Sequence, residues 1–150
     1  MATIRKRILD EIVVALSTSP PAGVPATTTL DKLTPSEVSD LPVMSVFSGR
    51  EDAERIGGST GPVTRRRMSI FVECWATGTD LHEKLDPMLA WITKTLNGQR
   101  VLDGSTQLSH EMEELATEWD WEHVERKLGR AEVELVISYS TKSNDQEVTQ

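Results

Sequence analysis

One cysteine in 150 residues excludes an internal disulfide framework, and this suits a reducing cytoplasm. No run approaches the ~20 consecutive apolar residues that a membrane-spanning helix needs. The opening stretch "MATIRKRILDEIVVALS" is interrupted by Asp10 and Glu11, so it reads neither as a secretory signal nor as an anchor, and no membrane partner is expected. Positive charge is scarce: 16 Lys and Arg stand against 24 Asp and Glu, a net charge of -8. That balance argues against general nucleic-acid binding, because neutralising phosphates needs a basic surface. Aromatic residues are also few, with four Trp, two Phe and one Tyr.

What is present is a set of strongly patterned segments in a chain sized for one domain, 1–150. In "TRRRMSIFVECWATGTDL" the residues Met68, Ile70, Val72, Cys74 and Ala76 alternate onto one apolar face of a strand. Arg67, Ser69, Phe71, Glu73 and Trp75 fall on the other, which is too charged for a second core and too aromatic for an ordinary wet surface. Residues 3–16 read as a helix with Ile4, Ile8, Leu9, Ile12, Val13 and Leu16 on its dry side, and Lys6–Asp10 and Arg7–Glu11 pairs on its wet side. A Pro/Thr-rich loop from Pro20 to Asp40 follows, long enough to suggest a functional or unstructured segment. "LPVMSVF" is a short strand begun by Pro42. "SGREDAERIGGSTGPVT" reads as a projecting arm, Gly49 to Val63, too long for a tight turn.

Asp80 is a candidate N-cap for a second helix whose stripe is Leu81, Leu85, Met88, Leu89, Ile92 and Leu96, ended by Asn97 and Gly98. Pro87 predicts a kink, or a start nearer Leu85. Trp91, on the flank of the stripe, reads as core. The stretch around "SHEMEE" is helical or irregular. From Leu115, Thr117, Trp119 and Trp121 alternate with Glu118, Asp120 and Glu122, a strand with one acidic face. Ala131, Val133, Leu135, Ile137 and Tyr139 mark the last strand, and the polar end from about residue 142 is expected to fray. The expectation is an α+β domain in the order α-β-β-α-β-β: a four-stranded, mostly antiparallel sheet with both helices on one face, plus a long loop and a hairpin arm.

Chemistry is thin. Cys74 sits among core positions, where a thiol is a poor nucleophile. "HEMEE" at 110–114 has Glu114 where a zinc-protease helix needs its second histidine, so His110, Glu114 and His123 make at most an incomplete metal set. "GGSTG" lacks the Gly-Lys-Ser/Thr ending of a phosphate loop and reads as a flexible tip. No titratable set converges, so no enzyme, cofactor or metal is expected. Charge, however, is segregated: Val101 to Glu125 holds eight acids and no Lys or Arg, while Arg65, Arg66 and Arg67 form a basic run. The triplet fits a solvated strand start, a nucleic-acid contact or a protein contact. The candidate interface comprises Arg50, Glu51, Asp52, Glu54 and Arg55 on the arm, Arg65, Arg66 and Arg67 beside it, Phe71 and Trp75 on the second strand face, and Glu118, Asp120 and Glu122 on the acidic strand. Trp119 or Trp121 is a further candidate anchor.

The succession of "LPVMSVF", a charged arm, "RRRMSIFVECWA", an amphipathic helix and the closing "AEVELVISYST" resembles the tail terminator proteins of long-tailed bacteriophages, the lambda minor tail protein U type. The leading "IRKRILDEIVVAL" and the hairpin ending in Ser138, Tyr139 and Thr141 fall in the same register, so nearly the whole chain is covered. It departs in a longer Pro/Thr-rich loop and a longer acidic segment. The resemblance implies a structural virion protein, made in the host bacterial cytoplasm, whose six-subunit ring caps the head-proximal end of the tail tube, stops its polymerisation and joins the tail to head-completion proteins. Implied partners are further copies of itself, the tail tube protein and a head-completion or neck protein, with DNA only as passing cargo. Rival expectations are another neck or tail-completion protein of similar fold, or a ligand-binding or enzymatic α+β domain.

Overall fold

The computed structural model describes residues 3–31, 42–57, 62–123, 127–142 and 145–149. In chain order these form α1 (Ile4–Ser17), β1 (Thr28–Leu30), β2 (Val43–Ile56), β3 (Val63–Thr77), α2 (Leu81–Leu96), β4 (Arg100–Asp103), β5 (Thr106–Glu111), β6 (Glu113–His123), β7 (Lys127–Lys142) and β8 (Asp145–Thr149). The main sheet runs β1-β2-β3-β7-β6, with β8 paired to the end of β7, and β4-β5 is a separate hairpin. β1 lies parallel to β2, and the other pairings are antiparallel.

The α+β class and the two helices agree with the sequence pattern, but four strands in the order α-β-β-α-β-β is a correction to make. Three parts of the chain account for the difference. The Pro/Thr-rich loop contributes the parallel edge strand β1, where Thr28 aligns with Met44 and Leu30 with Val46. The stretch around "SHEMEE", expected to be helical or irregular, is the end of β5 and the start of β6, and β5 pairs with β4 as a hairpin with Asp103 opposite Thr106 across Gly104 and Ser105. Gly104 has φ 62, the left-handed conformation that favours glycine in a two-residue hairpin turn. The polar end beyond residue 142 contains β8. The expected tip "GGSTG" lies mostly outside the described residues, at 58–61, as does the stretch 32–41 of the long loop.

α1 begins where the threonine hydroxyl of Thr3 accepts from the Lys6 amide at 3.2 Å. The Lys6–Asp10 pair forms, whereas Arg7 reaches Asp103 of β4 at 2.8 Å rather than Glu11. α2 starts at Leu81, so Pro87 lies inside it and the later start is not adopted. Asp80 holds the N-cap position in a left-handed conformation, φ 57, without the expected side-chain cap. At the other end Gly98, φ 75, turns its N–H onto the Met112 carbonyl at 2.8 Å. Trp91 is partly buried, and its Nε1 donates to the Leu16 carbonyl at 2.9 Å, satisfying an orphan acceptor at the end of α1.

The inward faces of β2, β3 and β7 and the apolar stripes of both helices make one core. Met68, Ile70, Val72, Cys74, Leu135 and Ile137 are fully buried in it. Burial, followed by the neighbouring Glu73 charge, pushes the Cys74 thiol far up, so the thiolate is suppressed and the sulfur acts as packing. Leu85 of α2 and Val133 of β7 are both 0% exposed in this core. Leu85→Asp or Val133→Asp is expected to cost about 3–5 kcal/mol by stranding a charge, enough to abolish a cooperative thermal transition in a marginal domain. An unchanged melt in either variant would show that the faces are wrongly assigned.

Candidate interface

The register places Trp75 between Val43 and Arg130, Glu73 between Ser45 and Glu132, and Phe71 between Phe47 and Glu134 on the sheet face away from the helices. Most of this face is satisfied within the subunit. Phe47 and Phe71 stack with centroids 5.3 Å apart. Trp75 is only 3% exposed, with the Arg130 guanidinium 5.8 Å above its ring. Glu73 is fully buried, and Arg130 Nε donates to it at 2.7 Å while Ser45 Oγ donates at 3.4 Å. Arg130 also pairs with Glu132, and Ser69 Oγ donates to Glu134 at 3.3 Å. A buried carboxylate without such a partner would be strongly destabilising, so Glu73 and Arg130 form a unit. The sequence reading missed Arg130, whose role shows only once the strands are in register.

The arm is a continuation of β2 and β3 as a two-stranded ribbon. A bulge between Ser48 and Glu51 shifts the register, and it changes which side chains point at the helices. Gly49 is required there, because a Cβ would fall 2.3 Å from the Phe71 ring. After the bulge Glu51 aligns with Met68 on the helix side, where three donors converge. Arg5 Nε of α1 donates at 3.3 Å, Arg66 Nη1 at 3.4 Å, and the Tyr139 hydroxyl of β7 completes the set. Only 14% of the Glu51 side chain and 13% of the Arg66 side chain is exposed. Arg66 Nε also reaches Thr141 Oγ1 at 3.4 Å.

These contacts divide the basic run. Arg66 is held inside the subunit, whereas Arg65 and Arg67 are exposed on the opposite side of the ribbon, across from Glu54 and Asp52. Arg50, Asp52, Glu54 and Arg55 are also exposed, and Arg50 pairs with Asp52 at 3.0 Å. Glu118 and Asp120 are exposed on β6, at the other side of the sheet, and the backbone of Glu122 lies opposite Leu128. The candidate residues therefore fall into a charged ribbon, an acidic edge strand, three internal members, Glu51, Arg66 and Trp75, and the half-buried Phe71 stacked on Phe47.

On the helix side of β6 a second aromatic group forms. Trp119 and Trp121 stack at 5.6 Å, and His82 of α2 lies 5.0 and 4.8 Å from them. Trp121 is 37% exposed. Its ring lies over Gly129, where a Cβ would come within 2.9 Å of it. The β-strand period placed both tryptophans on one face, but no pattern pointed to His82. Pro42, Gly23, Pro87, Ala76, Thr77, Glu83 and Lys84 line a cleft of about 390 Å³ without a convergent reactive set. Among the described residues no three His, Cys, Asp or Glu are placed to hold a metal.

No protein-family model matches the chain, and no curated protein matches it. Among solved structures it is similar to a chain of the virion of a native gene transfer agent particle. The identity is 16% over 93% of this chain and 92% of that one, with a TM-score of 0.46.

Burial raises the Glu51 carboxyl, but hydrogen bonds from Arg5 and Tyr139 and the charges of Arg5 and Arg66 outweigh it, holding it below the usual carboxylate range. Burial and then the bond to Glu51 push the Tyr139 hydroxyl well above the ordinary tyrosine range. A carboxyl lowered in the folded state gives stability that is fully present above its unfolded pKa and is lost as pH falls through the folded value. Glu51→Gln should therefore cost about 1–3 kcal/mol at neutral pH and lose less stability than the parent on acidification below the ordinary carboxylate pKa. Denaturant melts across that range check this, and parallel pH profiles would overturn it.

Proposed function

We propose that the chain is a structural protein of a phage-like virion, a tail terminator whose ring caps the head-proximal end of the tail tube and offers a surface to head-completion proteins. The observation that carries this reading is the separation of two charged surfaces in one subunit. Arg65 and Arg67 stand exposed on a ribbon that extends the sheet at one end, and Glu118 and Asp120 line the edge strand on the far side. Arg67 aligns with Ser138 of β7 and Glu118 with Glu132, with β3 and β7 intervening between the ribbon's outer strand and β6. A patch that matches a different patch on the next copy makes a head-to-tail contact, and such contacts close into rings. The motif order read from the sequence supports the terminator role, and its family resemblance implies six copies. The net charge of -8 per copy disfavours adhesion of DNA and suits a ring through which DNA passes.

Rim charge pairs of this kind contribute only ~0.2–1 kcal/mol each and weaken with salt, so they select orientation more than they supply affinity. Changing Arg65 and Arg67 to Glu while leaving Arg66 in place should keep the melt of the monomer and block assembly. Light scattering and negative-stain microscopy of the purified protein, alone and with tail tubes, are the measurements. Rings with a central hole, seated on tube ends and lost in the variant, are the expected result. A strict monomer at high concentration that adds no cap to tubes would remove the proposal.

A further inference from the structure

Resting on the ring reading, we infer that His82, Trp119 and Trp121 form the platform on which an arginine of the neighbouring copy's arm docks. The three rings lie within 5.6 Å of one another, so they present one continuous aromatic surface. It is a rigid one. Trp121 rests on Gly129, where no side chain intervenes, and Trp119 packs against the core. Little freedom is lost when a partner lands on a surface already fixed in this way. Trp121 is nonetheless 37% exposed, which makes it the most accessible tryptophan among the described residues.

The charge around the platform selects its occupant. Glu83 and Asp86 are exposed on the first turns of α2, with Asp86 one turn beyond His82, whereas Glu118 and Asp120 alternate onto the other face of the platform's strand. Stacked indole faces flanked by the α2 carboxylates favour a cation, and a planar guanidinium matches both the ring face and a carboxylate. The chain carries such groups on its arm: Arg65 and Arg67 are exposed, and the Arg50 side chain is 83% exposed.

The arm cannot reach its own platform. Arg65 aligns with Ser140 of β7, and Trp119 aligns with Ala131 of the same strand. Nine residues of extended chain separate those positions, roughly 30 Å at ~3.3 Å per residue. Arg65 and Arg67 also point to the sheet face away from the helices, whereas the platform is on the helix side. The occupant is therefore the arm of a second copy, and the contact is heterologous.

Two variants and their mixture test this. Arg65→Ala with Arg67→Ala removes the cations from exposed positions, and His82→Ala with Trp121→Leu removes the platform while leaving the core. Each variant alone should stay monomeric under conditions where the parent forms rings. An equimolar mixture should give a one-to-one dimer and no ring, since one intact arm meets one intact platform. Iodide quenching of tryptophan fluorescence should fall on assembly of the parent and stay unchanged in the arm variant, a readout that does not depend on the fold of the platform variant. Rings formed by either variant as by the parent, or quenching unaffected by assembly, would overturn the contact and leave the ring reading standing. A parent that is monomeric at every concentration and caps no tubes would overturn both.

Discussion

From Val63 to Thr77, β3 is paired without interruption to β7 on one side, and from Val63 to Trp75 it is paired, across one bulge, to β2 on the other. A strand held on both sides cannot slip by one residue, because a slip would turn its whole apolar set outward. Because β3 is fixed, its alternation dictates what β2 and β7 present to each face. It forces Glu73 into a position where it is fully buried on the side without helices. It also requires that any irregularity in the β2 pairing be absorbed by β2 itself, which happens between Ser48 and Glu51.

Two carboxylates then play matched parts on opposite faces. Glu73 is held by Arg130, which also covers Trp75, and so closes the sheet face away from the helices. Glu51 is held by Arg5, Arg66 and Tyr139, and so joins α1, β3 and β7 at the base of the ribbon. Buried ion pairs contribute little net stability compared with apolar residues of the same volume, but breaking one is costly. Their effect here is geometric. The Glu51 cluster ties the start of the ribbon to the helix layer, and the Glu73 pair fixes the neighbouring strands that carry it.

Periodicity made much of this legible. The stripe of α2, the apolar side of β3 and the alternation in β7 each extend over enough residues to be unambiguous, and each appears in the structure with the expected residues inside. The features that escaped were short or non-local. β1 is three residues held by β2, and β4-β5 depends on a turn at Gly104 in a stretch dominated by acids. The bulge at Gly49 has no periodic signature, and it is what sends Glu51 inward. Arg66 looked like one of three equivalent arginines because the alternation of a strand splits a triplet only after its partners are known. For the same reason Trp75 looked like an exposed anchor until Arg130 was placed above it.

The edges of the sheet have a bearing on solubility. Among the described residues, β2 beyond Val46 has no strand on its outer side, and β6 borders the sheet opposite it. Unpaired backbone of that length is a template for fibre growth when chains collide. Here one border carries Arg50, Asp52, Glu54 and Arg55, and the other carries Glu118 and Asp120, all exposed. Two β6 borders meeting would set acid against acid, so same-edge stacking is discouraged before it begins. The charge written along these margins thus keeps separate copies of the chain from aggregating through their strands.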